Sequence, residues 1–98
     1  MAIQYCPGTA IISATGTGAS MNIPCASIPT AVLVYNITDA EEMYWDNTLT
    51  SGYGYKASGL VTTGGITPSP AGATWSGFNL GTDTINRAGS LLKIVAFF

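Results

Sequence analysis

Residues 91–98 read LLKIVAFF and carry a single charge, Lys93. In an extended strand successive side chains alternate between faces, so a strand buried on one side shows polar residues at every second position. Here Leu92, Ile94, Ala96 and Phe98 share one face, while Leu91, Val95 and Phe97 share the other with Lys93. Both faces are apolar. The run predicts a strand that needs cover on two sides, and the question is what covers the second one.

Upstream, strand and turn signals alternate at short intervals. IQYC (3–6) is closed by Pro7-Gly8, and AIISA (10–14) is a compact β-branched run. TGTGAS (15–20) reads as a hairpin turn, followed by MNIPCAS (21–27), which Pro24 interrupts. AVLVYNI (31–37) is the clearest buried strand, with Val32 and Val34 on one side and Leu33, Tyr35 and Ile37 on the other. MYWD (43–46) and GYGYKAS (52–58) follow as aromatic strands, and TWSGFNLG (74–81) returns to strand before the final run. Between them, residues 59–74 are rich in Gly, Thr and Pro and read as a long loop. Thr38 to Glu41 fits a capping box, but aromatic and turn residues follow at once, so a loop is expected there. Short strands at this spacing predict an all-β fold: a small antiparallel β-sandwich or jelly-roll-like domain with a long Gly/Thr/Pro loop. One domain spans residues 1–98, with an N-terminal arm at 1–8.

Composition narrows the function classes. Only 8% of the 98 residues are charged, although 47% are hydrophobic and 10% aromatic, against about a quarter charged in ordinary soluble domains. A surface so poor in charge is weakly protected against self-association, which suits life in an assembly. The net charge is −2 and the three basic residues, Lys56, Arg87 and Lys93, are scattered. No nucleic-acid footprint and no membrane-surface patch is expected from them. The opening MAIQYCPGTA lacks a secretory pattern, and no apolar run approaches the ~18 residues of a transmembrane helix. Cytoplasmic synthesis is therefore expected.

Reaction chemistry finds little to work with. The chain has no His and two cysteines, Cys6 and Cys25, so neither a four-ligand zinc site nor a His-activated nucleophile can be written. The thiols read as buried and inert, with a disulfide as the alternative. The glycines of AIISATGTGASM lack the third position and following helix of a dinucleotide fingerprint. Asp39, Glu41, Glu42 and Asp46 form one carboxylate cluster, read as a solvated acidic loop in preference to a glycosidase pair or calcium site. No enzyme activity, cofactor or metal is expected. Tyr44, Trp45, Tyr53, Tyr55, Trp75 and Phe78 serve as core and interface anchors on this reading, with a sugar-stacking groove as the rival.

The segment GFNLGTDTINRAG with the closing apolar strand resembles a C-terminal signature of small bacteriophage virion proteins and phage fibre domains. The matching residues are Gly77, Phe78, Leu80, Gly81, Asp83, Asn86, Gly89, Ala96 and Phe97. TGTGAS, IPTAVLVYN (28–36) and GGITP (64–68) resemble the same group's upstream segments, so the likeness runs from about Thr15 to Phe98. It implies a structural virion protein. A compact domain starting at Met1, without heptad or repeat, suits a capsid decoration or cement protein, made in the host cytoplasm and carried on the capsid surface. The implied partners are the major capsid protein and sister copies, as a homotrimer. Interface residues expected on this reading are Ile3, Tyr5, Leu91, Val95, Phe97, Ile66 and Pro68. A tail, baseplate or fibre component is the alternative, including a receptor- or glycan-binding module using Trp45, Tyr53, Tyr55 and Trp75.

Physical roles for the signature are expected too. Gly81 and Gly89 should flank a turn of positive φ, and Asp83 and Asn86 should hold the loop through backbone bonds. Phe78 and Leu80 should meet alternate residues of LLKIVAFF across the sheet. The second face of that strand should be covered by a sister subunit, or by the 59–74 loop.

Overall fold

A computed structural model of the chain describes residues 8–69 and 74–98. Eight strands form one antiparallel sheet: β1 Thr9–Thr15, β2 Met21–Pro24, β3 Ala31–Asn36, β4 Glu41–Asp46, β5 Tyr53–Lys56, β6 Gly59–Pro68, β7 Gly77–Leu80 and β8 Leu91–Phe97. Their spatial order is β1-β8-β3-β4-β5-β6-β7-β2. The sheet curls into a half-barrel, so its two halves enclose one core as the layers of a sandwich would. The all-β expectation is met.

Alternation does most of the work. Val32, Val34, Met43, Trp45, Leu92, Ile94 and Ala96 point inward from β3, β4 and β8, and Ile23, Ile66, Phe78 and Leu80 meet them from β2, β6 and β7. Leu33, Tyr35, Tyr44, Lys93 and Val95 take the outward positions between them.

Three readings are corrected. Residues 59–68 are a strand, not a loop. Its register on β5 jumps, because Tyr53 pairs with Ile66 while Gly54 pairs with Val61. Residues 62–65 therefore leave that ladder, and β6 serves β5 with its first part and β7 with its last. Glycine makes the bend possible: a Cβ on Gly65 would sit 2.3 Å from the Tyr53 carbonyl oxygen. The Gly64 and Gly65 carbonyls accept from Asp83 and Gly81 amides at 3.0 and 2.8 Å. Glycines that read as breakers are here sites of close backbone approach.

The TGTGAS stretch is not a hairpin turn either. It joins β1 to β2, which lie at opposite edges of the sheet. Residues 16–20 cross between those edges over the 3₁₀ turn Thr84–Asn86. Asn86, fully buried, fastens the crossing: its Oδ1 accepts from Thr17 N at 2.9 Å, and its Nδ2 donates to the Ala19 and Gly81 carbonyls at 2.8 and 2.9 Å. Asp83 caps the turn by accepting from Ile85 N at 3.0 Å. Gly89 has φ +83°, as expected of a turn glycine, whereas Gly81 lacks the positive φ expected of it and serves because a Cβ there would lie 2.5 Å from the Gly64 backbone.

The third correction concerns Phe78 and Leu80. Their strand pairs with β2 and β6 and not with β8; they join Leu92 and Ile94 only within the core cluster. The Thr38–Glu41 box forms no helix. Residues 37–40 are a tight turn in which Ala40 holds φ 54° and Thr38 Oγ1 accepts from Leu91 N at 3.0 Å.

Candidate interaction surface

The registers of five adjacent strand pairs define one row across the outward face. Ile11 lies opposite Val95, Val95 opposite Leu33, Leu33 opposite Tyr44, Tyr44 opposite Tyr55, and Tyr55 opposite Leu60. Six strands at about 4.8 Å spacing make this band about 24 Å long. Ile11 is 81% exposed, Tyr55 58%, Leu60 49% and Tyr44 39%, while Val95 and Leu33 are half-buried between their neighbours. An unbroken apolar and aromatic row of this length on a small domain is a mark of an interaction surface.

The rest of the outward face differs. Across β6, β7 and β2 the equivalent row is Thr67, Asn79 and Asn22, and Asn79 Nδ2 donates to Asn22 Oδ1 at 3.0 Å. The row flanking the apolar band carries Ser13, Lys93, Tyr35 and Glu42. The asymmetry gives the domain one outer half that bears an apolar band and one that is polar.

The band answers the question posed by LLKIVAFF. Its inward face, Leu92, Ile94 and Ala96, is fully buried. Among the described residues its outward face is shielded only by flanking strands: Val95 and Phe97 are half-buried and Leu91 is 43% exposed. The stretch 59–68 does not cover it, because it is occupied as β6.

The basic side chains near the band are held by local partners. Lys56, buried, donates to Asp83 at 3.0 Å and Thr84 Oγ1 at 3.1 Å, with Glu41 at 3.5 Å. Arg87 grips Asp39 through two bonds of 2.7 and 2.8 Å, which holds the Asp39 carboxyl below its ordinary pKa and raises that of Arg87. Lys93 donates to Ser13 Oγ at 3.0 Å. Lys56 and Arg87 are ion-paired, whereas Lys93 keeps its charge on a neutral hydroxyl partner. Asp46 accepts from the Thr48 side chain, from Tyr44 Oη and from Thr48 N, which lowers its pKa; the same bond raises that of Tyr44. The four acidic residues of the cluster are thus dispersed, Asp39 in a turn and Glu41, Glu42 and Asp46 along β4. Among the described residues no group of three metal-ligating side chains converges.

One shallow depression adjoins the band and a second lies beside its flanking row. One, of about 230 Å³, is lined by Leu33, Glu42, Met43, Tyr44, Tyr55, Lys56 and Ala57. The other, of about 310 Å³, lies beside Tyr35, Ile37 and Glu42. Both are at or below the lower end of small-ligand pockets.

The expected site residues sort by strand parity. Leu91, Val95 and Phe97 lie on the outward face. Ile66 does not: it is fully buried in the core, and Pro68 is half-buried. Ile3, Tyr5 and Cys6 fall outside the described residues. Of the sugar-stacking set, Trp45 is 2% exposed and belongs to the core, so it cannot stack on a ligand. Tyr53 and Trp75 are half-buried, and Tyr55 alone is open. Cys25 is half-buried and its thiol is pushed up by desolvation. Ile11, Leu33 and Leu60 are additions from the structure, since only the register shows that they line up with Val95 and Tyr55. No protein family, curated protein or solved structure matches the chain.

Proposed function

We propose that the chain is a non-enzymatic structural protein of a phage particle, a capsid decoration or cement protein that docks on the major capsid lattice through the outer half that bears the apolar band. The observation that carries the proposal is the band from Ile11 to Leu60, apolar across six strands and opposed by a polar half. The likeness of residues 77–97 to small virion proteins supplies the setting. Aromatic and aliphatic side chains on a rigid sheet supply contact area at little entropic cost. A protein that binds only the assembled lattice raises its stability by mass action, and many symmetric copies multiply a modest contact. A homotrimer at a lattice three-fold is the arrangement the likeness implies.

The test pairs two exposed positions. The double variant Tyr55→Lys, Leu60→Lys places charges at the outer end of the band, where both side chains are open. It should lose retention on undecorated capsids while its thermal midpoint stays close to wild type. Wild-type retention by the double variant would remove the band from the contact.

A second reading rests on one pair. Tyr44 and Tyr55 stand directly opposite each other beside Glu42, at the rim of the 230 Å³ depression. Two rings and a carboxylate suit a sugar face, as on a fibre tip or a receptor-binding module of a tail or baseplate. Saturation-transfer contact from glycans to these two rings, abolished by Tyr55→Ala, would favour it over the capsid role.

A further inference from the structure

The two edges of the sheet are built differently. β2 is four residues long and ends in Pro24, a short edge closed by a residue without an amide donor. β1 is seven residues, TAIISAT, with no charge and no proline, and among the described residues it pairs only with β8. Such an edge is an open template for another strand.

Hydrogen-bond parity shows which groups are open. Phe98 N donates to Gly8 O at 2.6 Å and Gly16 N to Ser90 O at 2.9 Å, both continuing the β1–β8 register. Even-numbered residues of β1 therefore bond toward β8. In an antiparallel ladder the alternate residues turn their amides and carbonyls the other way. Thr9, Ile11, Ser13 and Thr15 thus present theirs outward.

The sequence of β1 is nearly palindromic about Ile12: Thr9 matches Thr15, Ala10 matches Ala14, and only Ile11 and Ser13 differ. We propose that a second copy of this chain adds to the β1 edge in antiparallel register about a two-fold axis at Ile12. Thr9 then faces Thr15 of the second copy and Ile11 faces its Ser13. All of these are odd-numbered, so the register bonds together the groups that are open, about eight hydrogen bonds in all. On the inner side Ile12 meets Ile12 and Ala10 meets Ala14. On the outer side the two Ile11 side chains become diagonal neighbours, within reach of each other. This converts the most exposed large apolar side chain among the described residues, at 81%, into a contact. It also joins the two apolar bands into one. The contact is isologous and closes on itself, so it yields a pair and not a fibre. It does not depend on the capsid reading and is distinct from any three-fold contact.

Sedimentation equilibrium and amide exchange test it together. Wild type should sediment at twice its 10.1 kDa mass at high concentration. Ile11→Pro should raise the dissociation constant at least 100-fold without unfolding the domain, because the Ile11 amide has no partner within the β1–β8 ladder. Independently of any variant, the amides of Thr9, Ile11, Ser13 and Thr15 should slow with rising concentration. Those of Ala10, Ile12 and Ala14 should be slow throughout. Odd-numbered amides that exchange fast at every concentration would overturn the proposal. Protection of them in a monomer would also overturn it and assign the edge to the chain's own first seven residues. An open series of larger species, or a trimer whose odd-numbered β1 amides stay fast, would exclude the two-fold register.

Discussion

Replacing Asn86 by Ala tests whether the crossing between the sheet's edges is held by one side chain. Asn86 is fully buried, and its side-chain amide makes three bonds, to Thr17 N, Ala19 O and Gly81 O. Ala leaves the buried Gly81 carbonyl without that donor, at about 2 kcal/mol, while Thr17 N and Ala19 O lie nearer water and lose about 1 kcal/mol each. The sum is about 4 kcal/mol, a large share of the 5–15 kcal/mol typical of a domain. At roughly 4–8 °C per kcal/mol for this length, the midpoint should fall by about 15–30 °C. Urea unfolding followed through the buried Trp45 gives the free energy directly. Asn86→Asp should be no better at neutral pH, since a carboxylate would face two carbonyl oxygens, and should recover in part as acid protonates it. A loss below about 1 kcal/mol for Asn86→Ala would show that the crossing is held by something else.

Other outcomes follow from single positions. Ala40 carries φ 54° in the β3–β4 turn, so Ala40→Gly should stabilise by about 0.5–1 kcal/mol, read as a higher urea midpoint at unchanged slope. Gly65→Ala should cost at least about 2 kcal/mol or prevent folding, because its Cβ would meet the Tyr53 carbonyl oxygen at 2.3 Å; wild-type stability would disprove the bend at β6. The Asp39 carboxyl is depressed below 3.8 by Arg87. Its contribution to stability is therefore present above that pH and disappears as pH falls through the lower folded value. Arg87→Gln should return the NMR titration of Asp39 toward 3.8 and flatten that acid limb. Val95→Glu, at the centre of the outer band, should leave the fold intact and weaken any assembly that uses it; unfolding instead would show that this face is core.

Much of the fold was readable from alternation. Val32 and Val34 against Leu33 and Tyr35, and Leu92, Ile94 and Ala96 against Lys93, declare their faces because one side of each strand is dry. Parity also held a signal for the aromatics: Tyr44 shares its face with Glu42 and Asp46, which turns Trp45 inward. β6 was illegible because Gly64, Gly65 and Pro68 carry breaker chemistry in a strand that bends by using it. Strand order was illegible for another reason. The pairing of β1 with β8 and β2 with β7 joins segments far apart in sequence, and nothing local encodes it. The outer band is a product of that order, so Ile11 and Leu60 gave no sign of belonging with Val95.

The most direct test of the proposed capsid role is the copy number of this chain in purified particles of the phage proposed to carry it, by quantitative peptide mass spectrometry against the major capsid protein. A simple lattice fraction, such as one copy per capsid subunit, is the expected result. A handful of copies per particle would move the protein to the tail or fibre tip and make Tyr44 and Tyr55 the leading site. Absence from the particles would contradict the virion role.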